Sequence, residues 1–442
     1  MVTPTSIGVI SPVYLSGSNY IDSLLAGAKW GGETGTSATL TYSFGWSNSH
    51  YKHNYGYGEP LDGFTPFTNI QINAAKKALS AWSEIANIQF TEVIDSSQII
   101  GELRFAKSNK VPRGWAYYPS TAPEGGDVWF SHSNIYDTDI KGDYGYAMFL
   151  HEIGHALGLK EPHVQGFGGI ADANIDTTAY SVMSYHSYVG SPLEHLTQNF
   201  YPTTPMLHDI GAIQYLYGAN LNTRSDDTVY SWQVEQQLLE TIWDGGGVDT
   251  ISWANQSSAA TINLGAGSWS ELGPAYWNGV EWENKTVAIA YNVTIENAIG
   301  GSGNDTIIGN QVANVLQGGA GNDTLLGGWG SDILTGGTGT DSFVFNSPVQ
   351  GIDAITDFQL HEGDKLLVST DGFGGRLAAG TLAASQFTIG SAATDANDLF
   401  IYNPYSGELF FDTDGIGLLR QEKIATLSVG LNLTSNDIIA FT

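Results

Sequence analysis

His151, Glu152 and His155 stand in an H-E-x-x-H pattern inside the apolar run from Tyr144 to Gly158. On a helix, residues four apart share a face, so both imidazoles can reach one metal ion. Glu152 lies beside them and can take a proton from water activated at that ion. The chemistry would be metal-assisted hydrolysis. The short pattern also arises by chance in ordinary helices, so the surrounding chain must support it. Gly158, three residues past His155, can end the helix with positive φ and turn the chain back towards the metal.

These side chains need a frame, and the preceding sequence supplies one. Asn19 to Trp30 has helical apolar spacing, with a cap signal at Ser18 or Asn19. Ile72, Ala75, Leu79, Trp82 and Ile85 recur three or four apart and predict a long helix over 69–87. Strand-like stretches are 39–44, 90–94, 101–106, 115–118 and 127–130. A last helix is expected over 205–220, closing at Gly218. His186 and His208 are read as structural or surface groups rather than ligands. The first half therefore reads as an α/β domain over 1–220.

The chain has 442 residues and no cysteine, which excludes disulfides. Its net charge of −29 falls unevenly, −9 over residues 1–220 and −20 over 221–442. A strongly acidic half repels nucleic acid and anionic membrane, and it suits hard divalent cations. No apolar run approaches the ~18 residues of a membrane span. Residues 1–6 lack the basic region and apolar core of a signal peptide, so export is expected to use another address.

From Gly300 the chain repeats every nine residues through five units that begin at Gly300, Gly309, Gly318, Gly327 and Gly336. Four units match G-G-x-G-x-D-x-U-x, the calcium-binding repeat of RTX proteins; the second carries Asn314 in place of Asp. The glycines permit tight turns and leave carbonyls free to face a cation. Candidate calcium residues are thus Gly301, Gly303 and Asp305, Gly319, Gly321 and Asp323, Gly328, Gly330 and Asp332, and Gly337, Gly339 and Asp341. Apolar residues two places after each Asp, such as Ile307, Leu325 and Leu334, should point inward from short strands. With two units per coil, Asp305, Asp323 and Asp341 line one edge, and Asn314 and Asp332 the other. Asp412 and Asp414 read as a hairpin turn rather than a calcium loop. Residues 221–442 are expected to form an all-β parallel β-roll and β-sandwich domain.

Taken together, His151 to Gly158, Ser181 to Tyr185, the 205–220 helix, the stretch Trp243 to Thr250 and the repeats resemble the serralysins, secreted bacterial zinc metalloproteases of the metzincin clan. The resemblance implies a metzincin catalytic domain, one catalytic Zn2+, several structural Ca2+ and a zinc metalloendopeptidase acting on protein or peptide substrates. It implies that Glu152 is the general base, that Met183 forms the Met-turn, and that Tyr185 approaches or ligates the zinc and stabilises the oxyanion. It adds Asp244 and Asp249 as ligands of a further calcium loop, and Asp357 and Asp364 as an acidic cap of the roll. It also implies a secreted monomer with a C-terminal signal at 436–442 for the type I secretion machinery, and a proteinaceous inhibitor as a further partner.

One position departs from the clan's pattern, H-E-x-x-H-x-x-G-x-x-H. The last His is replaced by Glu161, followed by Pro162 and His163. Three readings stay open: Glu161 is the third ligand, His163 substitutes for it, or the site holds metal poorly. The last would make the chain a weakened enzyme or an inactive, calcium-dependent binding protein of the same fold. A metal-dependent hydrolase of non-peptide substrates is a further alternative.

Overall fold

A computed structural model describes residues 8–47, 49–52, 54–193, 198–374 and 376–442. Residues 1–6, read above for a leader, lie outside the described residues. The helix expected over 19–30 is shorter than its spacing suggests. Helix α1 is the single turn Asn19–Asp22, and the chain has turned into a strand by Ala28–Trp30. Asp22 is diverted: its carboxylate accepts from the backbone N–H groups of Ser16 and Gly17. Gly27, at φ +93°, then provides a left-handed turn. Strands β1 (Ile10–Pro12) and β2 (Ala28–Trp30) pair antiparallel.

Among the described residues, five strands make the main sheet of the first unit: β3 (Ala38–Phe44), β4 (Ile88–Glu92), β5 (Leu103–Lys107), β6 (Gly114–Ala116) and β7 (Val128–Phe130). Their order is β4-β3-β5-β7-β6. All neighbours are parallel except β6, which runs antiparallel to β7 at the sheet's edge. Helix α2 (Asn69–Ile85) begins at a capping box in which Thr68 and Gln71 satisfy each other's backbone N–H. Its buried face carries Ala74, Ala75, Ala78 and Trp82. The alanines allow close approach to helix α3 (Tyr144–Leu157), and the Trp82 indole N–H donates to the Leu150 carbonyl. Helix α4 is Leu207–Tyr217.

The chain divides into two compact units. One comprises Met1–Thr223, Gln237–Gly245 and Ala275–Tyr291; the other comprises Arg224–Gln236, Gly246–Pro274 and Asn292–Thr442. The sequence suggested one cut after residue 220. In the structure two later segments pack with the first unit. Glu240–Ile242 and Val287–Ile289 pair in parallel, and the backbone N–H of Thr203 donates to Leu239.

The second unit is built from the nine-residue repeat. Among the described residues its strands form one ten-stranded and one seven-stranded sheet. Parallel partners sit 18 residues apart, as Ile307 with Leu325 and Phe343, and Leu316 with Leu334. All five side chains are fully buried. The residue after the Asp or Asn of each unit starts a strand, and every second unit returns to the same sheet. Asp412 accepts from the backbone of Asp414 and Gly415, between the antiparallel strands Glu408–Phe411 and Glu422–Thr426; this is a hairpin turn. Among the described residues no helix is long and apolar enough to cross a membrane.

Candidate metal centre

Helix α3 is buried on every side from Gly145 to Leu157. Its C-terminal carbonyls are nevertheless satisfied. The Trp30 indole donates to Ala156, and the Tyr217 hydroxyl donates to Leu157. Gly158, at φ +107°, closes the helix, with Leu159 N–H on the Gly154 carbonyl and Gly158 N–H on the His155 carbonyl. This pairing is the Schellman arrangement, and it sends the chain back past the helix end.

That turn brings Glu161 to the two histidines. One ligand atom from each of His151, His155 and Glu161 lies within 4.8 Å of the others. The His155 Nε2 to Glu161 Oε1 distance is 3.4 Å. Both imidazoles are anchored through the opposite nitrogen. His151 Nδ1 meets the Val182 carbonyl at 2.8 Å, and His155 Nδ1 meets the Leu159 carbonyl at 2.9 Å. A neutral ring that donates from Nδ1 presents an Nε2 lone pair, the orientation that a carbonyl on the far nitrogen gives a metal-binding histidine. The donor set, two nitrogens and one carboxylate, fits zinc with an open position.

The electrostatics of the group follow from burial and proximity. Burial, with His155 adding to it, pushes His151 down to about 3. Burial also acts against His155, but the Glu161 carboxylate outweighs it and raises that pKa. Glu161 is correspondingly held below the usual carboxylate range: burial would lift it, and the histidines pull it further down. Glu152 is buried with Oε2 unpartnered, and burial raises it to about 8. Such a carboxyl is poised to exchange protons near neutrality.

Met183 packs directly beneath the site. A Cβ on Gly154 would stand 2.5 Å from its Sδ, so any larger residue there would push the Met183 side chain aside. Tyr185 stacks on His151 with ring centroids 5.0 Å apart, and its hydroxyl is 3.1 Å from His151 Nε2. His163 does not join this group. It lies with Asp176 and His186 in a second cluster. His208 packs among the rings of Tyr20, Tyr180 and Tyr291, and burial lowers it to about 4.

Three contributors escaped the sequence reading. Buried Asp209 accepts from the Ser181 hydroxyl and from the backbone N–H groups of Val182 and Met206. It thereby holds the segment whose carbonyl orients His151. Gly114, on edge strand β6, lies so close that a Cβ would be 2.7 Å from Glu152 Oε1. Tyr118 sets its ring edge-on to His155 at 5.5 Å. The signals were present only as an Asp in a helix's first turn, a glycine after a basic residue and one aromatic among many.

In the second unit the repeat carboxylates stack. The backbone N–H of Asp305 donates to Asp323, that of Asp323 to Asp341, and that of Asp341 to Asp364. On the other edge Asn314 donates to Asp332, and Asp332 to Asp353. Asp323 Oδ2 and Asp332 Oδ2 are buried without a partner, as an oxygen reserved for a cation would be. Gly319, Gly321, Gly328, Gly330, Gly337 and Gly339 all have positive φ, which turns their carbonyls as the repeat requires. Asp357 accepts from the backbone of Gly336 and Gly337. Buried Asp244 belongs to the first unit, and buried Asp249, which accepts from Thr228 N–H, to the second.

Comparison with known proteins gives these features a class. Residues 209–375 match the family described as Peptidase M10 serralysin C terminal. The chain is 38% identical over 388 residues to "Serralysin" of Photorhabdus luminescens, covering 80% of this chain and 77% of that one. It therefore belongs to the serralysin family. It is also 39% identical over 310 residues to "Serralysin B" of Dickeya chrysanthemi, covering 63% and 60%. "Metalloprotease AprA" of Pseudomonas entomophila (strain L48) is 36% identical over 327 residues, covering 68% and 64%. In these last two matches the chain spans less than two thirds of the relative's length.

Proposed function

We propose that the chain is a secreted zinc metalloendopeptidase, with a metzincin catalytic domain and a calcium-loaded β-roll. The observation that carries the proposal is the convergence of His151, His155 and Glu161 beside the buried carboxyl of Glu152. His151, His155 and Glu161 would hold the zinc. When bound, the ion supplies Lewis acidity towards a carbonyl oxygen and towards water.

The chain's own groups do the rest. Glu152 accepts a proton from the attacking water and passes it to the leaving amine. The Tyr185 hydroxyl donates to the developing oxyanion. Strand β6 offers its free edge to an extended peptide, which would add as one more strand. Gly114 on that edge keeps the peptide's path clear of a side chain that would crowd Glu152.

In the second unit, calcium would neutralise the stacked aspartates and thereby complete the fold. Folding outside the cell after type I secretion is consistent with that dependence, because extracellular calcium is the partner the acidic ladders need. The rival reading is an inactive binding protein, and it is favoured by the carboxylate at position 161 where the clan's pattern has histidine. A casein assay in excess calcium, with and without a nitrogen-donor chelator that removes zinc, separates the two. The proposal expects activity that the chelator abolishes and zinc restores. Absence of casein hydrolysis by the zinc- and calcium-loaded protein supports the rival.

A further inference from the structure

We propose that His163, Asp176 and His186 form a second zinc-class metal site, separate from the catalytic group and structural in role. Their ligand atoms lie within 4.8 Å of one another. Asp176 Oδ2 is 3.8 Å from His163 Nδ1 and 3.6 Å from His186 Nε2. Both distances exceed the roughly 2.7–3.2 Å of a hydrogen bond. They are close to the about 3.3–3.5 Å that separates two ligand atoms on one tetrahedral zinc with bonds of about 2.0–2.2 Å.

The individual groups are prepared as ligands. His163 Nδ1 is buried with no hydrogen-bond partner. His186 Nδ1 meets the Ser191 carbonyl at 2.5 Å, which places its lone pair on Nε2, facing the carboxylate. A neutral His186 thus offers Nε2 to the same Asp176 oxygen that His163 Nδ1 faces, and one ion could take all three atoms. Asp176 is buried, and its other oxygen accepts the Ser184 hydroxyl at 2.6 Å, which fixes the rotamer. Two nitrogens and one carboxylate form a borderline-soft set, suited to zinc and poorly suited to calcium.

The location gives the site its task. The three residues tie the irregular segment after Gly158 to the stretch that carries Met183 and Tyr185. His163 packs 5.4 Å from the Tyr185 ring, which also stacks on His151. A metal here would hold Tyr185 in place without touching the catalytic ion.

Zinc counting on the full chain tests this, with calcium in excess to saturate the oxygen sites. The expected count is two per chain in the wild type. It is one in the His151→Ala/His155→Ala double variant, and one each in His163→Ala and Asp176→Asn. A wild-type count of one, no zinc in the double variant, or an undiminished count in His163→Ala and Asp176→Asn overturns the proposal. The count in the double variant does not depend on catalysis, so failure of the peptidase reading leaves it legible. Should the Asp176 variant misfold, cobalt(II) in the double variant still decides. Visible absorption typical of a four-coordinate nitrogen and oxygen site, displaced by zinc, is expected, and its absence overturns the proposal.

Discussion

The two units handle buried polar groups in opposite ways. Around His151 and His155 the protein supplies the compensation itself: each Nδ1 meets a carbonyl, and Glu161 balances His155. In the solenoid, aspartates stack on aspartates. The first arrangement is balanced by the protein's own groups. The second places like charges one above another, which cations would neutralise. Metal should therefore be a matter of activity in one unit and of folding in the other.

Removing calcium is the largest perturbation that comparison predicts. Far-UV circular dichroism in excess chelator should show loss of the second unit at about pH 8 and recovery when calcium is added. The pH dependence has a definite sign. Burial, with neighbouring carboxylates adding to it, lifts Asp323 and Asp341 to about 6 and Asp353 to about 7. Folded pKa values above the unfolded value favour the protonated native state. That stabilisation is complete below about pH 4 and is lost as pH rises through about 6–7. Chelated protein should therefore retain more structure at about pH 5.5 than at about pH 8. A flat or reversed dependence would show that the aspartate ladders do not control folding.

Next in size is Glu152→Gln. Zinc content should be unchanged, while peptide hydrolysis falls by roughly 10²–10⁴-fold, the usual cost of a lost general base. Near-wild-type kcat would break the assignment. Asp209→Ala should act less strongly and through another residue. It strands the Ser181, Val182 and Met206 donors and frees the carbonyl that orients His151. A roughly 10–100-fold loss of zinc affinity is expected from competition with a chromophoric chelator. It should come with destabilisation of about 3 kcal/mol in denaturant titration. Unchanged affinity would show that the socket does not depend on this support. The smallest effect is expected of Gly114→Ala, whose methyl would crowd Glu152 Oε1. It should lower kcat/KM roughly tenfold by a displacement well under 1 Å, with zinc content and melting temperature almost unchanged.

What could be read from the sequence follows the same division. The solenoid was legible because an exact nine-residue period leaves little freedom, and its partners fell 18 residues apart as two units per coil require. The pair His151 and His155, and the turn at Gly158, were legible because helix geometry alone brings them together. Asp209 was not, since an Asp in a helix's first turn looks like an ordinary cap and its partners Ser181 and Val182 lie 28 and 27 residues away. His163, Asp176 and His186 sit in irregular chain, where no period announces that they meet. Helix α1 was overestimated because apolar spacing continued past Asp22, while that carboxylate and Gly27 turned the backbone away.

The central claim is that Glu161 completes the catalytic ion's protein ligands. An anomalous difference map at the zinc edge, from crystals grown with calcium and zinc, tests it most directly. A peak is expected bonded to Nε2 of His151, Nε2 of His155 and a carboxylate oxygen of Glu161, with His163 remaining beside Asp176. A zinc peak bonded to the two histidines and to His163, with Glu161 turned away, would contradict it, as would no peak at His151 and His155.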